Sequence, residues 1–153
     1  MTIREATPDD IPQIQVVRNS VTENTLSNPA LVTDNDCMEF MTVRGKGWVC
    51  VVEEQVVGFS IVDTREHNIW ALFVAPAFEK KGIGRRLHDT MLDWYFSQTK
   101  TTVWLGTMPG TRAENFYRVA GWREAGMHGL QEVKFEMTRE QWKQQKTSPQ
   151  PMH

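Results

Sequence analysis

The chain has 153 residues, of which 40% are hydrophobic and 24% charged, a length that suits one domain and is short for two. Seventeen basic residues stand against nineteen acidic ones, for a formal charge of −2. A general nucleic-acid binder is therefore disfavoured, because a large basic excess is expected of that class. No stretch approaches the roughly 18 consecutive apolar residues of a membrane span. Residues 1–10 carry early acids and no apolar run, so they do not read as a signal peptide, and the default location is the cytoplasm. A chain of this size can bury enough surface to fold without disulfides or a metal. Cys37 and Cys50 sit in apolar stretches without metal-like spacing and read as small buried hydrophobes. His67, His88, His128 and His153 are scattered, so no metal site is expected. The compositional oddity is six tryptophans: Trp48, Trp70, Trp94, Trp104, Trp122 and Trp142.

In chain order, Thr2 to Glu5 reads as a short strand. Thr7-Pro8-Asp9-Asp10 signals a helix start, followed by Ile11, Ile14, Val17 and Val21 at helical spacing. Glu23 to Val32 is polar, with a turn at Asn28-Pro29. Thr33-Asp34-Asn35-Asp36 fits a capping box with Asp in the third place, opening a helix through Cys37, Met38, Phe40 and Met41 that Gly45-Lys46-Gly47 should end. The period then changes: Trp48 to Val52 and Val56 to Val62 are β-branched and aromatic runs around Glu53-Glu54-Gln55, an antiparallel hairpin. A polar loop, Asp63 to Asn68, leads into a strand from Ile69 to Val74. Ala75 to Gly84 is a loop, and Leu87, Met91, Trp94 and Tyr95 form the apolar stripe of the next helix. Thr102 to Leu105 is a short strand, Thr111 to Ala120 a helix capped by Gly121, and Val133 to Met137 a last strand. Residues 1–143 form the expected domain, and 144–153 a polar, disordered tail. The order β-α-α-β-β-β-α-β-α-β implies an α/β (α+β) fold, a mixed sheet with helices on both faces.

The most informative stretch is Leu72-Phe73-Val74-Ala75-Pro76-Ala77-Phe78-Glu79-Lys80-Lys81-Gly82-Ile83-Gly84-Arg85-Arg86-Leu87. A strand enters a two-glycine loop that opens directly into a helix, and four basic residues there face one acid. Glycines let a backbone approach a ligand closely, and a helix N-terminus offers unpaired N–H donors to an anion. An ordinary strand-to-helix turn with a solvated basic rim is the competing reading, since short glycine motifs match by chance. The dinucleotide pattern fails because Leu87 stands at its third glycine, and the P-loop pattern is absent.

Strand, Val-x-Pro, G-x-G and amphipathic helix resemble the cofactor motif of the GNAT superfamily of acetyl-CoA-dependent N-acetyltransferases. A second motif follows in order: Ala113-Glu114-Asn115-Phe116-Tyr117-Arg118-Val119-Ala120-Gly121-Trp122 is similar to the family's A-x-x-[F/L]-Y-x-x-x-G-[F/W]. The opening Ile3 to Ile11 looks like the usual start of such domains, so the resemblance spans residues 1 to 138. It implies a single-domain GNAT fold, with a mostly antiparallel sheet whose strands 69–74 and 102–106 splay apart. It implies acetyl-CoA as acetyl donor and a primary amine of a small molecule or protein as acceptor, attacked directly in a ternary complex. Leu72, Phe73 and Val74 would lie beside the pantetheine arm. Backbone N–H groups of Lys80, Lys81, Gly82, Ile83, Gly84 and Arg85 would hold the pyrophosphate, with Thr111, Arg112 and Phe116 adding contacts.

Tyr117 would stand near the sulfur. A tyrosine of ordinary pKa, about 10, is protonated at neutral pH and can donate to a departing thiolate; a packed helix tyrosine is the alternative. The general base is sought among Glu23, Asp63, Glu66, His67 and His128, with Glu66 and His67 first because they precede the central strand and His67 has the most suitable ordinary pKa. Two departures from the family pattern stand out: Glu79 replaces its Gln or Arg, and Gly110 replaces a frequent Asn. They keep open a catalytically silent CoA-binding module, beside use of another acyl-CoA or an interaction domain whose loop is only a turn. No nucleic-acid or membrane partner is expected, and a homodimer is left open.

Overall fold

The computed structural model describes residues 1–21 and 32–147. The polar segment expected to turn at Asn28-Pro29, and the candidate base Glu23 within it, lie outside the described residues. The chain divides into two compact units, Met1–Tyr95 and Phe96–His153.

The first unit is built on four strands, β1 (Thr2–Glu5), β2 (Gly45–Val52), β3 (Gln55–Asp63) and β4 (Asn68–Val74), each antiparallel to the next. Helices α1 (Ile11–Ser20) and α2 (Asp34–Thr42) precede the hairpin, and α3 (Ile83–Gln98) follows β4 and ends in the second unit. The expected capping box forms at α2: Thr33 N–H donates to Asp36 Oδ2 at 2.9 Å, and Asp36 N–H to Thr33 Oγ1 at 3.1 Å. The β2–β3 hairpin turns on Glu53 and Glu54, both left-handed with φ of 50° and 66°, as a tight two-residue hairpin turn requires. Gly45 and Gly47, expected to end α2, instead begin β2. A Cβ on Gly45 would lie 1.7 Å from the Val62 carbonyl oxygen, so close strand approach explains that glycine better than helix termination.

Side chains of β3 alternate in size across the sheet. Phe59 and Ile61 join Val49, Ala71, Ile11, Ile14, Val17, Cys37 and Met41 in a buried apolar cluster under α1 and α2. Gly58 and Ser60 face the other way, where a Cβ on Gly58 would touch Leu87 and Ile83 and the Ser60 hydroxyl donates to the Leu87 carbonyl at 3.4 Å. Small residues there let α3 lie close on the sheet. Cys37 and Cys50 are buried free thiols, as expected.

In the second unit, β7 (Glu132–Met137) pairs antiparallel with both β5 (Val103–Thr107) and β6 (Arg123–His128). Val103, Leu105, Val133, Phe135 and Met137 are buried on one face, and the register aligns Leu105 with Phe135. Helix α4 (Arg112–Val119) lies between β5 and β6, and α5 (Arg139–Thr147) closes the unit. The strand β6 and the helix α5 were not expected. Every residue of β6 is exposed, so it carries no alternation. Among the α5 residues whose burial is described, Trp142 alone is buried, too little for a visible stripe. Residues 144–147 of the expected disordered tail are thus helical, and 148–153 lie outside the described residues.

Candidate active site

The candidate donor-binding residues of the first unit sit on β4 and at the start of α3. In the β3–β4 pairing, Phe73 faces Phe59 and Ala75 N–H donates to Val57 O at 2.8 Å. Antiparallel alternation then turns the peptide groups of Leu72 and Val74 away from β3. Their side chains face the α3 side, opposite Ser60 and Gly58. After β4 a 3-10 turn, Pro76–Phe78, leads into the loop.

Two residues of that loop are left-handed, Lys80 at φ 62° and Gly82 at φ 79°. Nothing lies within 4 Å of where a Cβ on Gly82 would stand, so the backbone there is open to a ligand. Gly82 O accepts the Arg86 N–H at 3.1 Å, which makes Gly82 the cap and leaves the N–H groups of Ile83, Gly84 and Arg85 without intrahelical acceptors. No acid occupies the first turn of α3. A cradle of open N–H groups at a positive helix end, rimmed by Lys80, Lys81 and Arg86, fits a pyrophosphate. The Arg85 side chain is aligned elsewhere: its Nε donates to Asp89 Oδ1 at 3.0 Å, and buried His88 donates from Nδ1 to the same oxygen at 2.8 Å. Burial holds His88 below the ordinary imidazole value, so it is neutral.

In the second unit, Thr111 caps α4, its hydroxyl accepting Glu114 N–H at 3.3 Å and donating to Met108 O at 2.8 Å. Glu114 reaches back to Gly110 N–H at 2.7 Å. The position where the family often has Asn is therefore a left-handed turn glycine, φ 78°, tied down by Glu114, and the Thr111 hydroxyl is taken by the cap. Arg112 is exposed on the first turn and Phe116 is half-buried. Gly121, left-handed at φ 93°, ends the helix, and Trp122 N–H bonds Tyr117 O at 3.0 Å. Tyr117 packs edge-on to Phe116 and Trp122, with ring centroids 5.3 and 5.6 Å away. Burial pushes its hydroxyl well above the ordinary tyrosine value. It is a protonated donor across the physiological range, whichever of its two expected roles it fills.

The candidate bases separate clearly. Asp63 is buried and used structurally: Oδ2 accepts Arg44 Nη2 at 2.7 Å, and Oδ1 accepts the N–H groups of Arg65 and Glu66 at 2.8 and 3.3 Å. That carboxylate holds the β3–β4 turn and is no free base. Glu66 is exposed on the same turn. His67, left-handed at φ 58°, is half-buried with Nδ1 2.8 Å from the Tyr95 hydroxyl. Sequence reading placed Tyr95 only on an apolar stripe and did not find this pairing. His128, on β6, lies against Trp104, with ring centroids 4.7 Å apart. Of the strand tryptophans, Trp48 is buried, whereas Trp70 stacks on Phe40 at 4.2 Å and stays partly exposed. Among the described residues no cluster of His, Cys, Asp or Glu could hold a metal ion, and no helix is long and apolar enough to cross a membrane.

Comparison with known proteins bears on both motifs. The model of the acetyltransferase (GNAT) family matches residues 13–122. No curated protein matches the chain. Among solved structures, the PaiA N-acetyltransferase of Thermoplasma acidophilum in complex with coenzyme A has a TM-score of 0.77 at 12% identity, over 90% of this chain and 98% of that one. A ribosomal-protein-alanine N-acetyltransferase from Brucella melitensis has a TM-score of 0.71 at 23% identity, over 90% of this chain and 99% of that one. An acetyltransferase of the GNAT family from Staphylococcus aureus has a TM-score of 0.77 at 17% identity, over 90% and 98%. At such identities the likeness is one of fold, the α/β fold of the N-acetyltransferases. With the family model covering well over half of its residues, the chain belongs to the acetyltransferase (GNAT) family.

Proposed function

We propose that this enzyme moves the acetyl group of acetyl-CoA to a primary amine of a small molecule or protein, by direct attack within a ternary complex. The observation that carries the reading is the open cradle of residues 80–85, with two left-handed residues, an empty space over Gly82 and the N-terminus of α3. When bound, acetyl-CoA supplies an activated acetyl thioester. The N–H groups from Lys80 to Arg85 hold its pyrophosphate. The peptide groups of Leu72 and Val74 bond the pantetheine arm, with Phe73 between them fixed to β3. The Val74 N–H stabilises the negative charge that develops on the thioester oxygen during attack. Tyr117 donates its proton to the departing sulfur, a role its burial suits by keeping the hydroxyl protonated. His67, oriented by Tyr95, or Glu66 beside it takes the proton from the acceptor ammonium. Arg112 and Phe116 add contacts to the donor from α4, and Thr111 acts there through its backbone. We place the enzyme in the cytoplasm.

Calorimetry with CoA and a CoA-release assay over a panel of primary amines test this. Binding together with amine-dependent release of CoA is the expected result. No binding at millimolar CoA refutes the assignment of the loop. Binding without release from any amine points instead to a silent CoA-binding module.

A further inference from the structure

Arg18 is a buried cation with no carboxylate partner among the described residues. It lies four residues after Ile14 and seven after Ile11, on the buried stripe of α1, and is only 9% exposed. Its guanidinium carbon is 4.9 Å from the centroid of the Trp70 ring and 5.0 Å from that of Phe73. Its Nε is sealed from solvent with no hydrogen-bond partner, and no carboxylate among the described residues pairs with it. The acids that feel its charge are Cys37 and Asp36. Burial pushes the Cys37 thiol up, which keeps it neutral, and Asp36 Oδ2 is bonded to the Thr33 N–H. A guanidinium beside aromatic rings keeps its in-plane N–H donors for an anion, and a carboxylate matches that fork in a bidentate pair.

The local backbone places the rings there. Ile61 faces Ala71 while Val62 faces Ile69, so Trp70 is an extra residue in a β-bulge. Strict alternation would put Trp70 and Phe73 on opposite faces of β4. The bulge re-aims Trp70 to the α1–α2 face, where it stacks on Phe40 at 4.2 Å and meets Arg18. The phosphates of a donor have their own cradle past the other end of β4, at residues 80–85. Arg18 is thus left for a different anion.

We propose that Arg18, flanked by Trp70 and Phe73, binds a carboxylate carried by the acceptor amine, so that the substrates of this enzyme are amino acids or peptides with a free carboxylate rather than simple amines. The proposal rests on the acetyl-transfer reading for its chemistry, but the anion site itself does not. The Arg18 Nε–H signal of the 15N-labelled full chain, identified by its loss in Arg18→Met, reports on the site directly. It is titrated, without donor, with glycine, γ-aminobutyrate and glycylglycine, then with glycinamide and propylamine, and separately with CoA.

At least one carboxylate-bearing amine should shift the signal to saturation, while glycinamide and propylamine leave it in place. In acetyl transfer the same acceptor should be preferred over its carboxylate-free counterpart. Arg18→Met should raise its KM by roughly 10- to 100-fold, the loss of a charge-assisted pair, with kcat little changed and the preference reduced towards one. Arg18→Lys should retain part of it. A purely structural role predicts instead a lower Tm for Arg18→Met with the preference intact, which overturns the proposal. It is equally overturned if no carboxylate shifts the signal, if propylamine shifts it as strongly, or if only CoA does, which would assign the anion to the donor. Should Arg18→Met not fold, the titrations are read on the wild type and the preference on Arg18→Lys. A signal that answers to carboxylates in a chain that acetylates no amine supports the anion site and refutes acetyl transfer.

Discussion

Adding one methyl group at Gly82 separates backbone strain from ligand loss. Gly82 has φ of 79° and nothing within 4 Å of an added Cβ, so Gly82→Ala meets no clash and costs only the left-handed penalty, about 1–2 kcal/mol. At this chain length that lowers Tm by about 2–8 °C. Gly129, in the β6–β7 turn, is also left-handed at φ 66° and equally open, so Gly129→Ala should show similar strain without touching the α3 cradle. In the proposed donor complex, the new Cβ on Gly82 would stand where the pyrophosphate approaches the N–H groups. Loss of one hydrogen bond to a charged group is worth about 1.5–3 kcal/mol, or roughly 10- to 150-fold in Kd. Calorimetric titration of both variants with acetyl-CoA reads the difference. Equal Tm losses with weakened binding in Gly82→Ala alone are expected. If Gly82→Ala binds acetyl-CoA as tightly as Gly129→Ala, the loop does not hold the phosphates and the reasoning from the helix terminus fails.

Three further outcomes are expected. Tyr117→Phe should reduce kcat by about 10²- to 10⁴-fold, the usual worth of a positioned acid, with acetyl-CoA affinity preserved; unchanged turnover would remove Tyr117 from the mechanism. Both tyrosines of the chain are buried. Burial pushes Tyr95 up to about 12 and Tyr117 further, against an unfolded value of about 10. The stability they contribute is intact below pH 10 and is lost as pH rises, because the unfolded chain ionises first. At pH 11 the loss is about 1.4 kcal/mol for each, measurable by urea unfolding at pH 9 and 11. A tyrosinate absorbance rising with a midpoint near 10 in the folded chain would contradict it. Asp63→Asn strips Arg44 of its partner and the turn of its charged acceptor. Breaking a buried pair costs about 3–5 kcal/mol, the lower end fitting a partly exposed Arg44, so Tm should fall by about 6–12 °C. An unchanged Tm would show that the turn holds itself.

The elements that could be read from the chain alone are those whose own residues carry the signal. Ile11, Ile14 and Val17 mark α1 by spacing, Thr33 and Asp36 mark the start of α2 by capping chemistry, and the runs around Glu53-Glu54 mark a hairpin by period. The strand β6 and the helix α5 escaped because their signal lies in their partners: β6 is an exposed strand placed by its ladder to β7, and α5 buries Trp142 without an apolar stripe. Within the candidate site, the glycine loop and the Tyr117 helix are contiguous stretches and were legible. The His67–Tyr95 hydrogen bond joins residues 28 apart and was not. A charged residue on the apolar stripe of α1 was the one available sign of Arg18.

The sequence by itself determined the family, the two motifs in order, and the glycine-to-helix corner, because each is a local pattern of backbone freedom, capping and period. Tertiary structure decided which polar groups are used up and which remain. Asp63 is consumed by Arg44 and its turn, Thr111 by its helix cap, and Arg85 by Asp89. Arg18, against Trp70 and Phe73, has no carboxylate partner among the described residues. Whether a charge is satisfied depends on groups brought together from distant positions and on the water excluded around them, and neither is written in any single stretch of chain.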